Sequence, residues 1–164
     1  VTKSWPGTEE GKKAEALTSY LDQKLPELKI EAEITVAKEI YKADTISPYS
    51  FVIIINNPSF NLNQASFDVI SYNIDNYTNR NFRTEGLLTD NRYIKITVSS
   101  FPDNKLAWEY YNSFNIVKVI RNVSGTETMT FLINGDNLKT LDGDKNPERY
   151  FLFFKENYLK GQKE

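Results

Sequence analysis

The chain has 164 residues, with 22 acidic against 20 basic side chains, no Cys and no His. That length suits one domain of the usual ~100–200 residues, or one with a fragment beside it, and 40 % apolar with 13 % aromatic residues can bury a core. The missing His and Cys exclude a Ser-His-Asp triad, a thiol nucleophile, a structural zinc site and any disulfide, and a formal charge of −2 speaks against a phosphate-binding surface held by bulk charge.

Thr8 is a good N-cap, and Glu9 and Glu10 complement the dipole of a helix starting there. Ala14, Leu17, Leu21 and Leu25 form one apolar stripe on it, and Pro26 is expected to end or interrupt it. In Leu28 to Ala43, Ile30, Ile34, Ala37 and Tyr41 fit a helical face, while Ile34 and Val36 also fit an alternating strand. The helical reading is adopted. Asp44-Thr45-Ile46-Ser47-Pro48 marks a boundary, giving residues 1–43 as the end of a helical array with its linker and 44–164 as an α+β domain.

Tyr49 to Asn56 is an apolar, β-branched run, expected as a central strand buried on both faces. Within it, Phe51 to Ile55 is the longest apolar run, far short of the ~20 residues that span a bilayer. No signal peptide is read at Val1. Asn63 to Thr78 carries Phe67, Ile70, Ile74 and Tyr77 at helical spacing, and Phe82 to Leu88 reads as a strand. Asp90-Asn91 sets up a hairpin into Arg92 to Ser100, with Ile94, Ile96 and Val98 on a buried face and Tyr93, Lys95, Thr97 and Ser99 on a wetter one.

Asp103 caps a helix bearing Leu106, Tyr110 and Phe114, flanked by Trp108 and Tyr111. Val117–Arg121 and Met129–Asn134 flank Ser124-Gly125 as a plausible second hairpin. Asp136 is read as the cap of a short helix that Gly143 interrupts, and Asn146-Pro147 opens a last helix through Leu159 with Phe151, Phe154 and Tyr158 on one face. The order is a ferredoxin-like βαββαβ sheet with an extra C-terminal helix, with helices expected on one face. Phe51, Ile53, Ile55, Ile94, Ile96, Val98, Phe131 and Ile133 should form the core with Phe67, Ile70, Ile74, Leu106, Tyr110 and Phe114.

No carboxylates pair as catalytic groups. Asp136, Asp142 and Asp144 lack the alternating spacing and closing Glu of a calcium loop, so no metal, cofactor or catalytic residue is assigned. Tyr93 beside Lys95, with Arg80, Arg83 and Arg92 near in sequence, echoes the base-stacking sheets of RNA-binding domains. No glycine-containing RNA-binding signature accompanies it, so a nucleic-acid partner is not expected. A sheet face covered by the chain or by a partner is the simpler reading. Tyr93, Lys95 and Thr97 stand as the candidate interaction surface.

Two stretches together carry a resemblance. Tyr93 to Tyr111 holds a strand, a Ser100-Phe101 turn and an Ala107-Trp108-Glu109-Tyr110-Tyr111 helix, and Phe131-Leu132-Ile133-Asn134 is followed by Tyr150-Phe151-Leu152-Phe153-Phe154-Lys155-Glu156-Asn157-Tyr158. Tyr49 to Ile55, Asn79-Arg80-Asn81-Phe82 and Trp5 to Ala14 fit the same pattern. The combination is similar to the C-terminal domain of the PorW or SprE type of tetratricopeptide lipoprotein, from the type IX secretion and gliding machinery of Bacteroidota. The resemblance implies a non-enzymatic accessory domain, periplasmic and associated with the outer membrane. It would bind other protein components of a secretion machine and meet the membrane only through a lipid anchor. The same topology, with Val98-Ser99-Ser100-Phe101 entering a helix, also resembles a SPOR domain, which would bind peptidoglycan on its sheet face.

Overall fold

A computed structural model describes residues 7–160, so the Trp5-Pro6 part of the expected helix entry lies outside the described residues. Helix α1 runs Glu9–Ile40, and the Thr8 hydroxyl caps it by accepting from the Gly11 amide at 3.1 Å. Pro26 sits inside this helix and does not end it. Proline removes one helical hydrogen bond, but residues 15–32 are exposed, where water satisfies the freed carbonyl, and the surrounding Leu, Lys, Gln, Glu and Ala favour helix. Ala37 is the one fully buried residue of α1. The described residues thus show a single helix here, without a helical repeat array.

Beyond α1 come β1 (Tyr49–Ile55), α2 (Leu62–Asn76), β2 (Arg83–Thr89), β3 (Tyr93–Ser99), α3 (Asn104–Ser113) and the one-turn α4 (Ile116–Val119). Then follow β4 (Thr128–Asn134), α5 (Gly135–Asp144) and α6 (Pro147–Phe154), which runs into a π-helical turn, Lys155–Leu159. The strands form one sheet in the order β2-β3-β1-β4, every neighbouring pair antiparallel. This is an α+β fold with ferredoxin-like strand order and extra C-terminal helices. The β2–β3 turn holds Asp90 and Asn91 at φ 51° and 50°, the left-handed pair that a two-residue hairpin requires.

The sheet is covered on both faces, not one. Phe51, Ile53 and Ile55 of β1 line up with Val98, Ile96 and Ile94 of β3, and α2 and α3 cover that side, with the Tyr110 ring 4.9 Å from Phe51. Val52 and Ile54 face the other way, alongside Phe131 and Met129 of β4. There Tyr150 of α6 closes on Phe131 at 4.9 Å and Tyr41, at the end of α1, packs edge-on to Tyr150 at 4.9 Å. A central strand apolar on both sides needs two covering layers, and the helices after β4 together with the end of α1 supply the second.

Three local expectations change. Val117–Arg121 is not a strand: Asn115 caps α4 by accepting from the Lys118 amide, and the Arg121 amide donates to Asp68 at 3.0 Å. Asn134, not Asp136, caps α5, accepting from the Asn137 amide at 2.8 Å, and Gly143 lies within that helix. On α2 the buried residues are Ala65, Asp68, Val69 and Asn73, while Phe67, Ile70 and Ile74 face solvent. The cause is Gly86 of β2: a Cβ there would stand 2.4 Å from Ser66 Oγ and 2.8 Å from Leu62 Cδ1. So close an approach turns the small and polar side of α2 inward.

Candidate functional site

The sheet face bearing Tyr93, Lys95 and Thr97 is roofed by the chain's own helices. Tyr93 is 3 % and Lys95 7 % exposed, and Thr97 is half-buried. The Lys95 ammonium pairs with the Asp142 carboxylate of α5, which meets the need of a buried charge for a partner. Burial is the main cause that raises the Tyr93 phenol above its usual pKa, with smaller contributions from Asp142 and Glu148. The structure brings Tyr93 and Lys95 together as half of an internal layer.

A polar clamp holds that layer shut. Arg149 of α6 donates from Nε to Glu33 of α1 at 2.8 Å and from Nη1 to Asp144 of α5 at 2.5 Å. Asp144 also accepts from the Tyr41 hydroxyl at 3.0 Å. The buried Asn137 amide completes the fastening: its Oδ1 accepts from Lys42 N at 3.0 Å and its Nδ2 donates to Lys42 O at 2.8 Å. A carboxamide bonding both the N–H and the C=O of one residue imitates a strand neighbour and fixes where the chain leaves α1.

The two sheet edges differ. On β4, at one edge, the Tyr150 hydroxyl donates to the Leu132 carbonyl at 2.9 Å, and α6 runs against the strand. On β2, at the other, no strand pairs with the outer side among the described residues. Leu87 and Leu88 are exposed there, and on α2, which packs against β2, Phe67 and Ile74 are 60 % and 66 % exposed. Between α2 and the start of β2 lies a hollow of about 230 Å³, lined by Ile70, Asn73, Ile74, Arg80, Phe82 and Thr84. Its floor is pinned by a buried chain: Tyr110 Oη donates to Asn73 Oδ1 at 2.7 Å, and Asn73 Nδ2 donates to Thr84 Oγ1 at 3.2 Å.

Sequence reasoning missed this surface because the stripe Phe67, Ile70 and Ile74 has the spacing of a core-facing helix side. Gly86, inside the strand Arg83–Thr89, was the available signal of a close approach that would turn that stripe outward. Ser100, at the turn after β3, adopts φ 69°, the left-handed conformation that glycine takes most easily. Among the described residues no three His, Cys, Asp or Glu side chains gather as a metal site would need, and no helix is long and apolar enough to cross a membrane. No family model, curated protein or solved structure matches the chain.

Proposed function

We propose that this chain is a non-enzymatic protein-binding module that takes an extended segment of another protein along the free edge of β2. The observation that carries the reading is the contrast between the two edges: on β4 the Tyr150 hydroxyl of α6 occupies the Leu132 carbonyl, while β2 has no strand on its outer side and exposed leucines along it. An unpaired edge presents backbone donors and acceptors for strand addition. Leu87, Ile70 and Ile74 flank it as apolar seats for alternate side chains of the added strand. The titratable groups around the covered face sit in structural pairs, Lys95 with Asp142 and Arg149 with Glu33 and Asp144. The sequence resemblance adds a partner class, components of a secretion machine at the periplasmic side of the outer membrane.

Selection of binding peptides from an extended-peptide library, followed by amide chemical-shift mapping, tests the proposal. The expected outcome is a bound peptide that perturbs and protects the amides of residues 83–89, with binding lost in Ile74→Lys. Peptides that bind elsewhere, or bind Ile74→Lys unchanged, would refute it. Co-sedimentation with purified peptidoglycan sacculi, insensitive to Ile74→Lys, would instead favour the glycan-binding alternative. That alternative needs a sheet face open to solvent, and the Tyr93–Lys95 face is closed.

A further inference from the structure

Helix α1 carries two unlike faces. Glu33, Ile34, Ala37 and Ile40 turn toward the domain and are wholly or partly buried. At 100° per residue, the stripe Leu17, Leu21, Leu25 and Leu28 lies on the opposite side of the helix. These four leucines are 51–59 % exposed, and their own domain cannot reach them. So long an exposed apolar row marks an interaction surface.

We infer that the occupant is α1 of a second copy, packed antiparallel in one register. Ala14, Leu21 and Leu28 fall at one core position of a heptad and Thr18, Leu25 and Ala32 at the other, with Pro26 on an outer position. Asp22 and Lys29 flank the seam on one side, Lys24 and Glu31 on the other. In an antiparallel pair each flank faces its own copy. The register that stacks Leu25 against Leu28 of the second copy sets Lys24 opposite Glu31 and Asp22 opposite Lys29, each twice by symmetry.

The competing arrangements fail on charge. Sliding the antiparallel pair by one heptad sets Lys24 against Lys24 and Asp22 against Asp22, or Glu31 against Glu31 and Lys29 against Lys29. A parallel pair opposes Lys24 and Lys29 twice. Such flanking charges are what choose orientation and register in paired helices. Lys24 already meets Glu27 of its own helix at 2.8 Å, and its ammonium has donors to spare for a second carboxylate.

Light scattering and sedimentation of the chain over a dilution series should give twice the 19.0 kDa chain mass, falling to one chain in Leu25→Glu. Because residue 25 is exposed and remote from the sheet, the variant keeps its fold, checked by unchanged near-ultraviolet circular dichroism. Lys24→Glu and Glu31→Lys should each weaken association, and the combined charge swap should restore it. The chain has no Cys, so Ala16→Cys accepts a single spin label. The labels should then lie about 32 Å apart along the helix axes, twenty-one residues at 1.5 Å. A monomer at every concentration, a double variant as weak as its parents, or labels within about two helix diameters would each overturn the proposal.

Discussion

Replacing Tyr110 by Phe removes one oxygen from a buried polar contact between α3 and α2. Tyr110 is fully buried, and its ring lies within 5.8 Å of Phe51, Tyr72, Tyr77, Phe82, Phe101 and Phe114. Phe keeps all of that packing, so the change isolates the hydroxyl. The hydroxyl donates to Asn73 Oδ1 at 2.7 Å, and burial keeps the phenol protonated far above the usual range. Without it the Asn73 carbonyl, in a residue 9 % exposed, loses its hydrogen-bond donor. An unsatisfied buried acceptor costs about 1–3 kcal/mol, more than the ~1 kcal/mol net value of the bond. At about 2–4 °C per kcal/mol for a chain this long, the melting midpoint should drop by roughly 2–12 °C. Denaturant unfolding of Tyr110→Phe, Asn73→Leu and the double variant measures it, and the coupling should exceed about 0.5 kcal/mol. A single-variant loss below about 0.5 kcal/mol, the range of surface changes, or strictly additive losses, would refute the account of how α2 is pinned to β2.

Ile96 is fully buried between Ile53 and Gly86 in register, so Ile96→Ala should cost about 2–5 kcal/mol in denaturant unfolding; a surface-sized loss would contradict the assigned face. Asp44 accepts from the Ser47 hydroxyl and from the Ser47 and Ile46 amides, which hold its carboxyl below the ordinary 3.8. With the folded value below the unfolded one, its contribution to stability is present above pH 3.8 and fades as pH falls through the folded pKa. Carboxyl carbon shifts should therefore titrate with a midpoint below 3.8, and a midpoint at or above it would contradict the turn geometry.

What the sequence revealed depended on how local the cause was. The β1 run announces a strand buried on both sides because every residue from Phe51 to Ile55 is apolar, and the Asp90-Asn91 turn needs only its own two left-handed residues. Asn146-Pro147 likewise carries its cap and its fixed φ within the dipeptide. The orientation of α2 is set by a glycine in another element, and its buried Asp68 and Asn73 are satisfied by Arg121 and Tyr110, 53 and 37 residues away. No window along the chain contains that information. The same holds for Tyr93 and Lys95: alternation named them as one face of β3, but the helices that roof that face come from both ends of the chain. The exposed row Phe67, Ile70 and Ile74 looked like core because a docking surface and a core stripe share one spacing.

The fastening of α1 only near its C-terminal end makes the helix a mechanical lever. From Glu33, the Arg149 partner, back to Glu9 the helix extends about 36 Å without support from the domain (24 residues at 1.5 Å). A tilt of about 10° about that bearing would carry the free end some 6 Å sideways over this length, while the sheet stays where it is. The Arg149 guanidinium and its two carboxylates therefore govern angular precision at a distance: loosening them blurs the position of Leu17 far more than that of Ala37. Whatever grips the far end of α1 acquires a long moment arm on Tyr41 and Lys42, and so a mechanical route to the roof over β3.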